Sequence, residues 1–547
     1  MGVEGSGAGA QLARRAGIVG AAVAASRVLG LVREQLFAVC FGAGRELDAF
    51  ITAFRIPNLL RDLFAEGALS AAFVASFTQV RERDGAAAAW RLANLVVNAL
   101  LVVVGAICLG GMCFAPAVAR TIAPGFADIP GKLELTAALA RLMAPFLLLV
   151  ALAAVAMGIL NTSGVFGIPA AAAAFFNVGS IVGGVAAGYW LAPSYFQSIV
   201  DVLRGGAHAT PDPALAARAI TGMAVGTLLG GFLQLAVQLP SVARVGYRYR
   251  PMLDPSNRGF RQVMRLMGPA TIGAAAVQVN VFVNNNFASY LGNGPVSWLN
   301  VAFRLMQLPI GLFGVSVGTV ALPALSQHVA RADTDALRAT LRQALALVAT
   351  LCLPAAAGLA VFGTPIVGVI YEHGRFTAAD TTAAAEALAA YAAGLAGYAG
   401  IKVLAPAFFA FGDARTPMMV SLLSIATNYA LNWTLVRGLG FGHVGLALST
   451  SAVAFGNCCL LYVALRRRIG PLGGGLTGSV GRTLLATTIM IAVASAVDAV
   501  VAPILPPRPV VHHAARLAAV LPSALAAYWG ACRLLGVSMP RLRQRRA

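Results

Sequence analysis

The sequence predicts an all-α integral membrane protein with about fourteen transmembrane helices. Hydrophobic residues make up 59% of the 547 residues and charged residues only 11%, and the mean hydropathy is +0.79, well outside the balance of a soluble domain. Apolar runs of about 20 residues or more, the length that crosses a bilayer, recur along the chain. Charged or Pro/Gly-rich segments separate these runs, and this alternation predicts the fold class.

The predicted helices follow one another from near the N-terminus to near the C-terminus. In chain order they span about 16–41, 47–80, 90–118, 136–161, 166–192, 216–243, 262–291, 297–325, 337–363, 381–411, 415–436, 442–465, 482–503 and 513–536. A shorter re-entrant or interfacial piece is predicted around Tyr371–Ala378. The first run is not a cleavable signal peptide, because Arg27, Arg33 and Glu34 interrupt it and many further spans follow.

Arginines in the connecting segments predict the orientation of the chain. With the N-terminus inside, the cytoplasmic side holds Arg14, Arg15, Arg81, Arg83, Arg244, Arg248, Arg250, Arg258, Arg331, Arg338, Arg415, Arg466, Arg467, Arg468, Arg541, Arg543, Arg545 and Arg546. The opposite side holds Arg45, Arg120, Lys132, Arg204, Arg375, Arg437 and Arg508. By the positive-inside rule, both termini are predicted to be cytoplasmic. The same rule explains the net charge of +20, so no nucleic-acid partner is predicted.

A short internal repeat predicts two lobes. Ala53-Phe54-Arg55 recurs as Ala302-Phe303-Arg304, and at the same offset Leu59, Leu63, Phe64 and Ala72 match Leu308, Leu312, Phe313 and Ala321. The even number of helices between the copies favours two six-helix pseudo-symmetric lobes plus two C-terminal helices. Chance agreement between apolar segments is the alternative. The predicted division is a flexible cytoplasmic tail at 1–15, an N-lobe at 16–243, a cytoplasmic linker at 244–261, a C-lobe at 262–465, helices 13 and 14 at 482–536 and a basic tail at 537–547.

Charged residues inside the first two predicted helices are the main functional signal. They are Arg27, Arg33, Glu34, Asp48, Arg55, Arg61, Asp62 and Glu66. A charge near the middle of a spanning helix costs roughly 2.5–3.5 kcal/mol on insertion scales, so such residues usually pair, face a watery cavity or bind a charged ligand. Spacings of seven residues place Arg27 with Glu34, and Asp48 with Arg55 and Asp62, on shared helix faces.

The arginines and the acids of this set have different interpretations. Glu34, Asp62 and Glu66 each have an arginine nearby, and they either form internal salt bridges or face the cavity. The intramembrane arginines outnumber the acids that can neutralise them: Arg27, Arg33, Arg55, Arg61 and Arg304. This surplus implies an anionic ligand. Guanidinium binds phosphate bidentately and stays protonated, which favours phosphate or pyrophosphate on an amphiphile.

Amide side chains in predicted helices 7 and 11 also have two interpretations. Helix 7 carries Gln278, Asn280, Asn284, Asn285 and Asn286, which either contact the ligand or join helices by hydrogen bonds. In helix 11, Asn428 and Asn432 lie one turn apart, and they either coordinate a cation or pair helices. These alternatives stay open at the level of sequence.

The sequence argues against several kinds of chemistry. Gly473-Gly474-Gly475 lacks the lysine and hydroxyl residue of a phosphate-binding loop, so ATP is not predicted as the direct energy source. No nucleophile–base pair suggests catalysis, and the chain is not predicted to be an enzyme. No metal site or cofactor is predicted, and the sequence leaves the coupling ion open.

Several segments carry a resemblance to a known family. They are Ser26-Arg27-Val28-Leu29-Gly30, Gly42-Ala43-Gly44, Asp48-Ala49-Phe50, Pro57-Asn58-Leu59-Leu60-Arg61, Phe64-Ala65-Glu66-Gly67-Ala68, Arg304-Leu305-Met306, Tyr371-Glu372-His373-Gly374-Arg375-Phe376-Thr377 and Lys402-Val403-Leu404-Ala405-Pro406. In these segments the chain resembles the MurJ/MviN lipid II flippases of the MOP exporter superfamily. The resemblance extends over nearly the whole chain.

The resemblance implies a transporter of the bacterial inner membrane that moves lipid-linked peptidoglycan precursor, lipid II, to the periplasmic leaflet. It implies a cationic cavity for the headgroup diphosphate and a groove bordered by helices 13 and 14 for the lipid tail. The substrate-binding residues that it implies are Ser26, Arg27, Arg33, Arg61 and Arg304, with Arg55 where some members have lysine. Glu34, Asp48, Asp62, Glu66 and Gln307 are assigned supporting or gating roles. Membrane lipids and proteins of cell-wall synthesis are the further partners.

The chain also departs from the family. Some members have acids where this chain has Phe303 and Gln307, so a coupling mechanism that needs those carboxylates is in doubt and the cavity should be more electropositive. The mechanism we expect is alternating access, driven by membrane potential or an ion gradient. Two other functions remain open: an exporter of drugs or other lipid-linked oligosaccharides from the same superfamily, and a membrane scaffold without transport. The arginine surplus argues against cationic drugs.

Overall fold

Helices dominate the computed structural model, which describes residues 4–61, 68–205, 212–473, 475–506 and 509–537. Within these ranges there are helices and no β-strand, so the all-α prediction is confirmed there. Contacts between residues divide the chain into two compact units, Met1–Gly294 and Pro295–Ala547.

The described residues of the first unit form eleven α-helices. They are α1 (Glu4–Phe41), α2 (Arg45–Arg61), α3 (Ala68–Cys113), α4 (Ala115–Ile122), α5 (Lys132–Met143), α6 (Phe146–Thr162), α7 (Gly167–Leu191), α8 (Pro193–Leu203), α9 (Pro213–Ala236), α10 (Leu239–Arg244) and α11 (Arg258–Ser289). α3 is kinked at Gly85, whose φ is 83°. A 3₁₀ turn, Pro124–Asp128, precedes α5.

In the second unit, the part of the chain that the structure describes forms ten α-helices. They are α12 (Pro295–Pro309), α13 (Ser316–Ala330), α14 (Thr334–Val361), α15 (Gly363–Tyr371), α16 (Ala378–Ala392), α17 (Leu395–Ala410), α18 (Arg415–Asn432), α19 (Gly442–Ile469), α20 (Gly475–Val501) and α21 (Pro509–Leu534). A π-helical stretch, Ile310–Val315, joins α12 to α13. The short helix α15 ends at Tyr371, where the predicted re-entrant or interfacial piece around Tyr371–Ala378 begins, and that piece stays a prediction.

Residues at the helix starts explain several of these boundaries. The Asp212 side chain accepts a hydrogen bond from the Ala214 N–H at the start of α9, and Asp333 caps α14 in the same way. Thr377 and Asp380 form a reciprocal capping box at the start of α16. Such caps satisfy backbone N–H groups that have no partner within the helix.

The number of spans is confirmed only in part. Among the described residues, nine helices are long and apolar enough to cross a membrane, or up to ten if the bent pair α16 and α17 is one span. That pair bends by 42°. The count of fourteen is therefore not fully confirmed, although the described residues of each predicted span are mostly helical.

The N-terminal tail differs from the prediction. The sequence predicted a flexible tail at 1–15, whereas α1 begins at Glu4. Extending a helix costs less than nucleating one, so the long apolar part of α1 explains the continuation toward the N-terminus. Most of the predicted basic tail, residues 538–547, lies outside the described residues.

The predicted linker 244–261 is held against α3 of the first unit. Asn94 Nδ2 donates to the Arg248 carbonyl at 3.2 Å, and Asn98 Nδ2 donates to the Arg250 carbonyl at 3.0 Å. Burial raises the pKa of Tyr247 to about 12, so its hydroxyl stays protonated and donates to Asn94 Oδ1 at 2.9 Å.

The boundary between units therefore differs from the predicted boundary between lobes. The sequence placed predicted helix 7 in the C-lobe, whereas the corresponding helix α11 packs against α3 and α4 in the first unit. The reason is that the linker before α11 is hydrogen-bonded to α3. It therefore does not separate α11 from the first unit. This division reflects contacts, and the predicted pseudo-symmetry of the lobes stays a prediction.

Helices α7 and α9 pack closely because glycines face each other. A Cβ atom on Gly226 would lie 2.2 Å from the backbone nitrogen of Gly184, and one on Gly222 would lie 2.3 Å from the backbone of Gly188. Such a distance excludes any side chain. Small residues that let two backbones approach are typical of helix pairs within membranes.

Replacing Gly226 with alanine should destabilise the first unit by about 1–3 kcal/mol, because the new methyl group forces α7 and α9 apart. The measurement is the midpoint of thermal unfolding in detergent. Gly456→Ala in α19 is the matched control, because a Cβ there meets no atom within 4 Å. Equal midpoints for the two variants would contradict the close packing.

Candidate functional site

Helix α1 carries the first group of predicted substrate residues and packs against α7. Asn177 of α7 is buried, and its Nδ2 donates to the carbonyl of Ser26 at 3.1 Å. The same nitrogen also donates to the Ala173 carbonyl at 3.1 Å. Asn177 thus fixes the backbone of α1 next to Arg27.

Arg27 and Arg33 have different surroundings. The Arg27 side chain is exposed on α1. Arg33 is half-buried, lies 5.0 Å from the centre of the Phe176 ring and is 3.9 Å from Glu34 Oε1. A guanidinium over an aromatic face is attracted by the ring electrons. The predicted salt bridge of Glu34 therefore has a partner in Arg33, its neighbour in the chain.

Arg55 lies on α2, which contacts α1. Its Nη1 donates to Asn285 Oδ1 of α11 at 2.9 Å. Asn285 is fully buried, and its Nδ2 donates to the Ile122 carbonyl at 3.4 Å. In the same helix, Asn286 Nδ2 donates to the Thr121 carbonyl at 3.2 Å. These two amides of predicted helix 7 therefore join helices, which was one of the two interpretations.

Three acidic or basic residues of the prediction lie at or beyond the end of α2. Arg61 is the last residue of α2 and is half-buried. Asp62 and Glu66 lie outside the described residues, so their assigned supporting roles stay predictions.

Asp48 forms an ion pair that the sequence did not predict. Lys132 Nζ lies 2.9 Å from Asp48 Oδ2, and both side chains are completely buried. The sequence analysis had placed Lys132 in a loop, whereas it is the first residue of α5. Asp48 and Lys132 are 84 residues apart, so no local spacing reveals the pair. One signal was present: the chain contains only two lysines, Lys132 and Lys402, and uses arginine elsewhere.

The segment after α11 completes the surroundings of this ion pair. Lys132 Nζ donates to the Gly292 carbonyl at 3.1 Å and to Asn293 Oδ1 at 2.9 Å. The Gly294 N–H donates to Asp48 Oδ2 at 2.7 Å. The Phe126 ring centre lies 4.1 Å from Lys132 Nζ. The pair is thus fully satisfied by hydrogen bonds, as a buried pair must be.

The second unit carries Arg304 and Gln307 on α12. Both side chains are exposed, whereas Leu305 and Met306 between them are buried. Trp298 Nε1 on the same helix donates to Asp380 Oδ1 of α16 at 3.0 Å, which fixes the start of α12. The prediction that Arg304 shares one cavity with the arginines of α1 and α2 stays a prediction.

Asn428 and Asn432 lie in a buried polar cluster of the second unit. The Ser449 hydroxyl of α19 bonds to Asn432 Oδ1 and lies 3.3 Å from Asn428 Oδ1. All three side chains are buried. The cluster joins α18 to α19, which fits the interpretation that these amides pair helices.

Comparisons with known proteins bear on the resemblance. The family model described as lipid II flippase MurJ matches residues 37–512. The lipid II flippase MurJ of Burkholderia cenocepacia is 35% identical over 447 residues, which cover 81% of this chain and 81% of that protein. The probable lipid II flippase MurJ of Rhizobium meliloti is 33% identical over 542 residues, which cover 97% of this chain and 96% of that protein.

Two solved structures are similar in fold. Lipid II flippase MurJ in an inward closed conformation matches with a TM-score of 0.73 at 24% identity, covering 94% of this chain and 99% of that chain. An inward-facing multidrug resistance MATE family transporter of the MOP superfamily matches with a TM-score of 0.66 at 14% identity, covering 82% and 95%. These likenesses establish the fold, while the family model and the relatives confirm the resemblance seen in the sequence. The chain therefore belongs to the lipid II flippase MurJ family.

Proposed function

We propose that this protein is a lipid II flippase that translocates its substrate from the cytoplasmic to the periplasmic leaflet by alternating access. The observation that carries the proposal is that the family model described as lipid II flippase MurJ matches residues 37–512. The segment Ser26–Gly30, in which the sequence resembles the family, supports it. The protein is a multi-pass membrane protein of the bacterial inner membrane. Both termini lie in the cytoplasm, as the distribution of loop arginines favours.

The arginines of α1, α2 and α12 bind the headgroup diphosphate in this proposal. Arg27 and Arg304 have exposed side chains that can reach a ligand. Arg55 is oriented by Asn285, and its planar guanidinium carries the N–H donors that bind phosphate oxygens. Charge-assisted bonds of this kind are stronger than bonds between neutral groups.

Two further parts of the proposal concern architecture and energy. The six-helix lobes alternate in access around the site, and the hairpin of α20 and α21 borders the groove for the lipid tail. Moving one charge through the membrane field yields about 2.3 kcal/mol per 100 mV, so membrane potential or an ion gradient can drive release. The protein performs no chemical reaction on its substrate, and proteins of cell-wall synthesis are its further partners.

The test is translocation by the purified protein in proteoliposomes. Fluorescent lipid II is placed in both leaflets, and a membrane-impermeant quencher reports the fraction that remains protected over time. We expect exchange between leaflets that protein-free vesicles lack. Absence of exchange under an imposed membrane potential and under proton or sodium gradients would leave a scaffold as the better interpretation, and export of cationic drugs in its place would favour a multidrug exporter.

A further inference from the structure

A row of charged side chains lies in the C-terminal hairpin, apart from the arginines described above. Asp498 of α20 and Arg516 of α21 form a two-pronged ion pair, with Nε–Oδ1 and Nη2–Oδ2 distances of 2.8 and 2.6 Å. Their side chains are 17% and 20% exposed. Charges held inside spanning helices are costly, so this pair has a specific role.

A second pair connects the hairpin to the rest of the second unit. Nε2 of His513 on α21 lies 3.4 Å from Oε2 of Glu372, the residue that follows α15. Both side chains are nearly buried, at 13% and 10% exposure. Glu372 belongs to the family segment Tyr371–Thr377, and no residue of this segment was assigned to the predicted transport site.

The His513 ring packs against the backbone of α15 at Gly368. A Cβ atom on Gly368 would lie 2.4 Å from Cδ2 of the His513 ring. No side chain fits there, so the ring packs directly on the helix backbone. His513 and Arg516 are three residues apart and lie on one face of α21, so the Asp498–Arg516 ion pair and the Glu372–His513 contact form a continuous row from α20 through α21 to α15.

Further along α21, a second polar attachment fixes the hairpin to α14. The Tyr528 hydroxyl donates to the Thr350 carbonyl at 2.5 Å. The Thr350 and Thr483 hydroxyls lie 3.5 Å apart, which links α14 to α20. Leu525 on the same helix is 69% exposed. In a membrane, lipid competes for every apolar contact, so polar contacts of this kind decide where a peripheral hairpin docks.

We propose that Glu372 and His513 are positioning residues that dock the hairpin of α20 and α21 on α15, and that this docking sets the shape of the groove for the lipid tail. The part about the groove rests on the proposed function. The docking itself does not, because it follows from the distances, the burial and the close approach to Gly368. Removing either partner leaves the other in a nearly buried place without its counterpart.

The first experiment measures docking in the full-length protein. Cys532 on α21 is completely buried, so its alkylation by N-ethylmaleimide, followed by mass spectrometry, reports undocking. We expect Glu372→Gln and His513→Gln each to raise the rate on the order of tenfold, which corresponds to about 1.4 kcal/mol. The double variant should be no faster than the single variants, because both remove the same interaction.

Two controls separate docking from general damage. His512→Gln changes the same residue type one position away, and it should leave the rate at Cys532 unchanged. Cys40, buried in the first unit, reports global unfolding within the same sample. The proposal is overturned if His512→Gln has the same effect as His513→Gln, if the two effects add in the double variant, or if Cys40 and Cys532 become reactive together.

The second experiment tests the groove with two substrates in proteoliposomes, lipid II with a long polyprenyl tail and an analogue with a short one. His513→Gln should slow translocation of the long-tail substrate several-fold more than that of the short-tail analogue. Equal slowing of both refutes the role in the groove. If the unmodified protein translocates neither, the proposed function fails, while the labelling of Cys532 still decides whether the pair docks the hairpin.

Discussion

Lys132→Met should lower the free energy of unfolding by about 3–5 kcal/mol, the range found when one partner of a buried ion pair is removed. The variant leaves Asp48 buried without the Lys132 ammonium, while the Gly294 N–H still donates to it. It also leaves the Gly292 carbonyl and Asn293 Oδ1 without the ammonium that they accept from. Chemical unfolding in mixed micelles measures the change.

The chain supplies matched variants for this measurement. Lys402→Met changes the only other lysine, whose side chain is exposed, and it should alter stability little. Asp48→Asn combined with Lys132→Met should recover part of the lost stability, because the buried carboxylate that loses the Lys132 ammonium is then replaced by a neutral amide. If Lys132→Met unfolds like Lys402→Met, the ion pair contributes nothing and our account of Asp48 is wrong.

Arg27→Ala should reduce lipid II translocation by roughly 10- to 100-fold, because one charge-assisted contact to phosphate contributes about 1.5–3 kcal/mol. The exposed side chain of Arg27 contributes little to folding, so the protein should insert and unfold normally. Arg304→Ala should have a similar effect. The measurement is the initial rate in the quenching assay with proteoliposomes.

Variants of the same residue type separate charge from geometry. Arg467→Ala removes an exposed arginine from the last turn of α19, and it should translocate normally. Arg27→Lys keeps the charge and loses the planar, bidentate geometry, so its rate should lie between those of the unmodified protein and Arg27→Ala. Normal translocation by both Arg27→Ala and Arg304→Ala would refute binding of the diphosphate by these arginines.

The candidate site was only partly predictable. The charged residues of α1 and α2 are visible in the sequence, because they interrupt runs of apolar residues. Their partners are not visible: Arg55 bonds to Asn285 across 230 residues, and Glu372 pairs with a histidine near the C-terminus. Glu34 and Asp48 were predicted to have similar supporting roles, whereas Glu34 lies beside Arg33 and Asp48 forms a buried ion pair with Lys132.

By itself, the sequence determined the all-helical membrane fold, the positions of most helices and membership of the MurJ family. Hydropathy is a sum over neighbouring residues, and a family signature is a local pattern, so both can be read without coordinates. Only the tertiary structure decided that α11 belongs to the first unit, that Lys132 is buried and that His513 docks on Gly368. Each of these depends on which distant segments meet. In a membrane, close packing and polar contacts decide which helices associate, and hydropathy alone does not predict these contacts.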